Sequence, residues 1–322
     1  MINSSKLTKY IIAIFFSLTF VYSNAPLKAD IKVVTTIQPL HSLVANVMDG
    51  TGDLGLILEG SASPHNFSLK PSHAKMLEKA DVVFWFGEDL EIFLEKALKT
   101  IPTKAKIISF MKLKEIPKLK FREKNIFEHD DHKDEHKDEH KDGHDDHKDE
   151  HDHAHGEFDV HLWLDPINAK IMVKEIAHVL SDVDPSNAKK YNNNANKTLL
   201  KLDRMVLDIK KSINKRARFI TFHDAYQYFE KRFEVASMGA LTVNTDVQPG
   251  AKQISEIRKH VKEENIKCIF SEPQFNPKII KVIAESTNIK TGVFDPLGSS
   301  FKPGKSLYFS LINDLSKNLS GC

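Results

Sequence analysis

Long apolar segments are almost absent from this chain. The most apolar run covers residues 10–22, which is shorter than the roughly 20 residues that a transmembrane helix requires. Lys6 and Lys9 precede this run, and Ser23-Asn24-Ala25 follow it. A basic start, an apolar centre and a small-residue end are typical of a secretory signal peptide. We therefore expect a signal peptide over 1–25 and export of the mature protein, with cleavage after Ala25 or, as a second choice, Ala29.

Cysteine is equally scarce. Cys268 and Cys322 are the two cysteines of the chain, and neither lies near the expected cleavage site. Because no cysteine there can carry a lipid, we expect a mature protein without a direct membrane anchor. In an exported protein an even number of cysteines favours a disulfide. Two unpaired thiols are the alternative.

Acidic residues are concentrated in one segment. Residues 128–157 contain fourteen of the 44 acidic residues but four of the 46 basic ones. The rest of the chain is basic, with 42 Lys or Arg against 30 Asp or Glu. Its lysines are scattered through helical patterns without interleaved aromatic residues, which indicates a solvated surface rather than a surface for nucleic acid. We expect no nucleic acid partner.

The acidic segment is also rich in histidine. Between residues 129 and 155 imidazoles alternate with carboxylates, and Ala154 is the one apolar residue. Such a segment cannot bury surface, so we expect a disordered, solvated loop over 128–157. The imidazoles predict an auxiliary metal-binding loop, with the candidate ligands His129, His132, His136, His140, His144, His147, His151, His153 and His155.

The rest of the chain alternates between strand and helix patterns. Strands are predicted over 31–37, 54–58, 81–86, 106–109, 218–222, 235–239, 267–270 and 291–294. Helices are predicted over 41–48, 72–80, 88–99, 166–180, 185–215, 224–232, 249–264, 277–287 and 305–319. This alternation predicts parallel βαβ units, and the length fits two α/β domains.

The pattern also predicts how the domains are arranged. We expect an N-terminal domain over 30–165, connecting helices over 166–216 and a C-terminal domain over 217–322. A continuous helix over 185–215 would reach about 45 Å and serve as a rigid connector. In doubly wound domains ligands bind at the carboxyl ends of strands. A site in the cleft between the domains is therefore expected.

Three histidines lie where such a fold binds ligands. His65 and His223 follow predicted strands, and His161 lies in the aromatic segment FDVHLWLDP at the end of the first half. Three imidazoles suit Zn²⁺ in tetrahedral geometry, although Cu²⁺ and Ni²⁺ also accept imidazole. Asp295 follows the strand predicted over 291–294 and is the candidate fourth ligand. Because Pro296 comes next, a role in a turn is the alternative.

Other polar and aromatic residues near these positions have less specific patterns. Trp163 is expected to be a wall or core residue. Glu272, at the end of a predicted strand, either contacts a ligand or starts a helix. Structural or surface roles are expected for the histidines in helical patterns, which are His41, His73, His178 and His260.

Six motifs occur in order along nearly the whole mature chain. They are EGSASPHNFSLKPS (59–72), HLWLDP (161–166), TFHDAYQYFEKRF (221–233), LTVNTDVQPGAKQISEIR (241–258), CIFSEPQF (268–275) and FDPLG (294–298). Together with the histidine-rich loop, they closely resemble the periplasmic zinc-binding proteins of bacterial zinc-uptake ABC transporters, which belong to the metal-binding solute-binding proteins. The resemblance implies two α/β domains joined by one long rigid helix, with the metal in the cleft.

The resemblance also implies the ligands. It implies that His65, His161 and His223 bind the metal. Manganese-type relatives usually have Glu in place of the third histidine, so His223 favours zinc.

Two further features follow from the same resemblance. Some zinc-binding members carry a Glu directly before the first ligand histidine, where this chain has Pro64. The fourth ligand is therefore open between Asp295, Glu59 and water. The family also implies the bridge between Cys268 and Cys322.

We therefore expect a monomeric solute-binding protein, and not an enzyme, that captures Zn²⁺ in the periplasm and delivers it to a membrane permease and its ATPase. A zinc hydrolase using the same histidines is the alternative. Catalytic zinc needs an open position and a nearby general base. The sequence has no HExxH motif, and the nearest carboxylate, Asp224, is expected to start a helix. A passive metal buffer is a third interpretation.

Overall fold

The structure of the protein is a computed structural model that describes residues 30–122, 124–126, 156–242 and 249–322. The predicted signal peptide over 1–25 and the loop histidines of 129–155 lie outside these residues. Within the described part of the chain, every helix is too short or too polar to cross a bilayer.

The first half of the chain forms a four-stranded parallel sheet in the order β2-β1-β3-β4. The two central strands, with the sequences KVVT and VVFW, are almost entirely buried, as strands covered by helices on both faces should be. The strands are β1 (Lys32–Thr35), β2 (Asp53–Leu56), β3 (Val82–Trp85) and β4 (Lys106–Ser109). The helices are α1 (Gln38–Val47), α2 (Pro71–Glu78) and α3 (Ile92–Thr100).

The second half repeats this arrangement. Its four parallel strands have the order β6-β5-β7-β8, so the predicted α/β fold with mainly parallel sheets is confirmed. The strands are β5 (Phe219–His223), β6 (Ala240–Thr242), β7 (Cys268–Ser271) and β8 (Lys290–Val293). The helices of this half are α6 (Gln227–Phe233), α7 (Ala251–Glu263), α8 (Lys278–Thr287) and α9 (Leu307–Leu319).

Two helices connect the halves, α4 (Pro166–Val183) and α5 (Ala188–Ser212). The predicted continuous helix over 185–215 is too long, because a 3₁₀ turn (Pro185–Asn187) precedes α5. The carboxylate of Asp184 accepts hydrogen bonds from the side chains of Ser186 and Tyr191 at 2.6 and 2.9 Å. The 25 residues of α5 give a length of about 38 Å.

The strand predicted over 235–239 is wrong in its position, because β6 covers Ala240–Thr242. The backbone N–H of Val235 instead donates to the carbonyl of Glu230 at 3.1 Å, at the exit of α6. Pairing with β5 begins where Ala240 lies opposite Thr221. The segment 235–242 is mostly small or apolar and contains no signal for the residue at which pairing starts.

All three helices of the first half also begin at other residues than predicted, and α1 begins at Gln38 rather than at His41. Helix α2 begins at Pro71 with Lys70 before it, rather than with Ser72 as the cap, and proline suits the first turn of a helix. Helix α3 begins at Ile92 rather than near residue 88. The side chain of Glu91 instead accepts hydrogen bonds from backbone groups of the preceding turn.

One of the hydrophobic clusters spans both sheets, and each half has a further cluster of its own. A single cluster of buried side chains includes Val33 of β1, Phe84 of β3, Phe270 of β7 and Leu311 of α9. Ile31–Cys322 forms one compact unit. The two halves are therefore joined by packed apolar side chains as well as by the connecting helices.

A disulfide joins Cys268 in β7 to Cys322 after α9, with 5.7 Å between the Cα atoms. The predicted bridge is confirmed. It closes a loop with a sequence separation of 54 residues. In the chain-entropy description such a loop stabilises the folded chain by about 4 kcal/mol. The bridge therefore fixes the end of the chain to a central strand of the second sheet.

Glu91 is a fully buried carboxylate in the first half. Its Oε2 accepts hydrogen bonds from the backbone N–H groups of Phe86 and Gly87 at 2.8 and 3.0 Å, and Oε1 accepts one from the hydroxyl of Thr36. Burial raises the pKa of Glu91 to about 7, although these donors oppose the shift. The folded chain therefore binds this proton more tightly than the unfolded chain does.

The buried Glu91 predicts a specific pH dependence of stability. Its pKa is near 4.5 without the fold, so its full contribution to stability is present below about pH 4.5 and is lost as pH rises towards 7. Glu91→Gln mimics the protonated side chain and should remove this loss. The free energy of unfolding of the variant relative to wild type should increase over this window by about 3 kcal/mol.

Urea unfolding at several pH values measures this difference. The control is Glu88→Gln, because Glu88 is more exposed, pairs with Lys112, and has a pKa lowered mainly by a backbone hydrogen bond. Its difference from wild type should not increase as pH rises from 4.5 to 7. Parallel curves for wild type and Glu91→Gln would contradict the prediction.

Candidate metal centre

The three predicted histidines meet at the carboxyl ends of the strands. His65 lies in a 3₁₀ turn (Pro64–Asn66) after β2, and its backbone N–H donates to the Ser63 hydroxyl at 3.3 Å. His161 directly precedes a second 3₁₀ turn (Leu162–Leu164). His223 is the last residue of β5. The position of each candidate ligand is thus determined by a strand end or by a short turn.

The imidazoles of these histidines form one cluster. The Nε2 atoms of His161 and His223 are 3.3 Å apart. One ring nitrogen from each of His65, His161 and His223 lies within 4.8 Å of the other two. Zinc–nitrogen bonds of about 2.0–2.1 Å in tetrahedral geometry require about 3.3–3.4 Å between ligand nitrogens. His161 and His223 already have this separation.

Two buried carboxylates support the rings from behind. Oδ1 of Asp159 lies 2.7 Å from Nδ1 of His161. Both oxygens of Glu272 lie close to Nδ1 of His223, at 2.7 and 2.8 Å. A hydrogen bond at Nδ1 fixes the tautomer that leaves Nε2 free to bind a metal, and it makes the ring a stronger ligand. Of its two expected roles, Glu272 has the contact with a candidate ligand, His223.

The electrostatics of the site follow from burial and these contacts. Burial raises the pKa of Asp159 to about 7, against the hydrogen bond from the backbone of His161 and the charge of Arg122. Burial alone would lower the pKa of His223, but the charge and hydrogen bond of Glu272 outweigh it and raise the pKa. The negative charges around His223 thus favour a cation at this position.

The candidate fourth ligands lie apart from the three histidines. Asp295 is buried and accepts hydrogen bonds from Leu297 N–H at 3.2 Å, Ser299 Oγ at 2.9 Å and Gln274 Nε2 at 3.1 Å. Glu59 instead interacts with His41 of α1 and His73 of α2. Burial lowers the pKa of both histidines, and the charge of Glu59 opposes that shift. In the described residues, the side chains able to share a metal are His65, His161 and His223. The fourth ligand stays a prediction.

A narrow cavity of about 10 Å³ lies beside the histidines, which is about the volume that one water molecule needs. Neither Asp295 nor Glu59 lines it. Trp163 forms part of the wall, 5.3 Å from the ring of His161, with its indole N–H donating to the Pro296 carbonyl at 2.7 Å. This agrees with its expected role as a wall residue.

Asp224 follows His223 but does not start a helix, because α6 begins at Gln227. Its carboxylate instead accepts hydrogen bonds from the guanidinium of Arg122, with 2.8 Å between Nε and Oδ2. Burial raises the pKa of Asp224, and Arg122 opposes that shift. A carboxylate engaged in this way is poorly suited to act as a general base for a metal-bound water.

Sequence reasoning missed Asp159 and Arg122. Asp159 had a local signal, because it stands two residues before His161, and its backbone geometry lets Oδ1 accept from the His161 N–H as well, at 2.9 Å. Arg122 had none, because Asp224 and Glu230 are 102 and 108 residues away in sequence. Among the histidines of the described residues, His178 is exposed on its helix near Asp182, which agrees with the expected surface role.

The fold and the site together define an α/β protein with two parallel sheets and a histidine cluster suited to a metal ion. The family model of ZnuA, the periplasmic component A of the zinc-uptake complex, matches residues 33–322. The chain belongs to this family, whose members are solute-binding components of an uptake system and not enzymes.

Known relatives cover nearly the whole chain. It is 46% identical to the high-affinity zinc uptake system protein ZnuA of Brucella abortus (strain 2308) over 303 residues, 90% of this chain and 91% of the relative. It is 34% identical to the ZnuA of Yersinia pestis, with 91% and 92% covered. The crystal structure of a ZnuA deletion mutant with zinc bound has a similar fold, with a TM-score of 0.72, 20% identity and coverage of 90% and 97%.

The contact between Glu272 and His223 predicts a loss of affinity on substitution. Glu272→Gln should weaken zinc binding by about 10–100-fold, because the amide holds Nδ1 less firmly and carries no charge. A competition titration with a chromophoric chelator at neutral pH measures this change. Glu91→Gln is the control, because Glu91 is also buried but bonds to Thr36 and the backbone. Equal affinities of wild type and Glu272→Gln would contradict the prediction.

Proposed function

We propose that this chain captures Zn²⁺ in the periplasm and delivers it to a membrane permease that is driven by an ATPase. The observation that carries the proposal is the geometry of His161 and His223. Their Nε2 atoms are 3.3 Å apart, and each Nδ1 is bonded to a buried carboxylate. Both rings are thus oriented to share one ion, and membership of the zinc-uptake family supports zinc as that ion.

The donor set favours zinc over harder metals. Imidazole nitrogens suit Zn²⁺ and also Cu²⁺ and Ni²⁺, whereas Mg²⁺ and Mn²⁺ prefer oxygen ligands. The cluster in the described residues contains three imidazoles and no carboxylate ligand. We propose His65, His161 and His223 as the ligands. Of Asp295, Glu59 and water as the fourth, the hydrogen bonds of Asp295 and the small cavity favour water.

Transport without catalysis agrees with the surroundings of the site. A zinc hydrolase needs a general base beside the metal, and the carboxylates next to the ligands are bonded to imidazole or guanidinium groups. A passive buffer would not require oriented rings from both halves of the chain.

The following features extend the proposal. Residues 1–25 act as a cleaved signal peptide, and the mature protein works as a monomer without a membrane anchor. The domains cover 30–165 and 217–322, with 166–216 between them. Residues 129–155 provide auxiliary metal-binding histidines.

The ligand set can be tested one histidine at a time. Each of His65→Ala, His161→Ala and His223→Ala should weaken zinc binding by at least about tenfold. Even the substitution of residues that contact only the ligands typically lowers metal affinity by about 10–100-fold. Calorimetric titration with Zn²⁺ measures the affinity, and His178→Ala, at an exposed helix position, is the control. Wild-type affinity in any of the three variants would remove that histidine from the set.

The histidine-rich segment should provide a second, weaker class of sites. Its histidines must be ordered when they bind metal, which costs conformational entropy, and protons compete with zinc for imidazoles whose pKa is about 6.5. Deleting 129–155 should remove the weaker class and retain the tight site and the fold. Calorimetry at about pH 7.5 and about pH 5.5 should show the weaker class of wild type fading at the lower pH. Loss of the tight site on deletion would show that loop histidines are primary ligands.

A further inference from the structure

One segment of the first half crosses to the second half beside the metal centre. We define the crossing segment as residues 119–122 and 124–126. Asn125 exchanges hydrogen bonds with β6, since its carbonyl accepts from Ala240 N–H at 2.8 Å and its amide donates to the Leu241 carbonyl at 2.7 Å. Ile126 pairs antiparallel with Gly239, where a Cβ would approach the Asn125 carbonyl to 2.6 Å. The crossing segment is thus attached to the edge of the second sheet.

Arg122 provides the charged contact of this segment. Its guanidinium donates to both oxygens of Asp224 and to both oxygens of Glu230, with Nε–Oδ2, Nη1–Oε2 and Nη2–Oε1 distances of 2.8, 3.0 and 3.1 Å. The two carboxylates are 3% and 6% exposed. A planar guanidinium can bind two carboxylates in this way, whereas an ammonium group cannot form the same fork. Arg122 is the cation between two carboxylates that would otherwise repel each other.

The crossing segment is connected to both ligand-bearing segments. Asp224 is the residue after His223 and is fixed to β6 by a hydrogen bond from its N–H to the Thr242 carbonyl at 3.2 Å. At the other end, the N–H of Asp159 donates to the carbonyl of Leu119 at 2.8 Å. Asp159 in turn holds the ring of His161. The same short segment therefore contacts the residue beside one ligand and the residue that orients another.

We propose that Arg122 is a positioning residue for the metal centre, which holds Asp224 so that His223 stays opposite His161 and thereby slows release of the metal. Without the guanidinium, two buried carboxylates lose the cation that donates hydrogen bonds to both of them. They must then separate, take up a proton or admit water, and each of these changes is costly in a buried site. Any shift of Asp224 is passed through one peptide unit to His223. The proposal rests on the proposed function only in that both histidines bind the metal.

The experiment compares zinc release and ligand geometry in matched variants. Arg122→Gln removes the charge, and Arg122→Lys retains it without the fork. Arg232→Gln is the control, because Arg232 forms an equally bidentate pair with Asp165, at 2.7 and 2.8 Å, which does not include the neighbour of a ligand. Zinc dissociation into excess chelator gives the release rate. The visible absorption of the Co²⁺-loaded protein reports the ligand geometry.

Arg122→Gln should release zinc at least about tenfold faster than wild type and alter the Co²⁺ spectrum. The release rate of Arg122→Lys should lie between those of wild type and Arg122→Gln. Arg232→Gln should lose thermal stability but retain both the wild-type release rate and the spectrum. Unchanged release in folded Arg122→Gln, or equal acceleration in Arg232→Gln, would overturn the proposal.

A second variant covers the case in which Arg122→Gln does not fold. Combining Arg122→Gln with Glu230→Gln removes the charge of one of the two carboxylates that Arg122 binds, while Asp224 still lacks its hydrogen bonds from Arg122. This double variant should fold and release zinc as fast as expected for the single one, and wild-type release from it would overturn the proposal. Failure of wild type to bind zinc at all would instead refute the proposed function, so the two failures are distinguishable.

Discussion

The metal centre depends on two buried hydrogen bonds between carboxylates and imidazoles. Asp159 and Glu272 are 0% and 3% exposed, and each binds the Nδ1 of a candidate ligand histidine. Removing a carboxylate from water is costly unless it is paired. The imidazole N–H offsets part of this cost and at the same time directs Nε2 away from the carboxylate. The orientation of the two imidazole rings is therefore a consequence of the hydrogen bonds that the buried carboxylates form with them.

The parallel sheets bring these groups together. His223 ends β5 and Glu272 directly follows β7, and the two strands are neighbours in the second sheet. Because parallel strands present their carboxyl ends at one edge, the histidine and its carboxylate lie side by side without any further structure. His161 and Asp159 come from a connection instead. They are secured because the Tyr228 hydroxyl donates to the Asp159 carbonyl at 2.9 Å.

The sequence was sufficient for those parts of the structure that depend on local pattern. Alternating strands and helices predicted both sheets, and the rule of strand ends predicted the meeting of His65 and His223. The same rule also selected Asp295, which follows β8 but accepts hydrogen bonds from its own loop. Position at a strand end indicates proximity to a site, and the hydrogen bonds of the side chain add information that the sequence pattern does not contain.

Contacts between distant residues could not be read from pattern. Arg122 lies 102 residues from Asp224, and one arginine among many surface cations has no feature that identifies such a partner. The predicted position of β6 was wrong for a related reason, because the strand begins where Ala240 pairs with Thr221 of β5. In both cases the deciding interaction is supplied by the fold, after the local elements have formed.

Charge balance explains why such a centre favours a divalent cation. Asp159, Glu272, Asp224 and Glu230 are all nearly inaccessible to solvent, and Arg122 contributes one positive charge among them. Burial raises the pKa of three of these carboxyls, Asp159, Asp224 and Glu230. A divalent cation among the ligand histidines adds two positive charges close to these groups, where solvent screens charges only weakly. The imidazoles would thus select the metals that can bind, while the surrounding buried carboxylates would strengthen that binding through their charge.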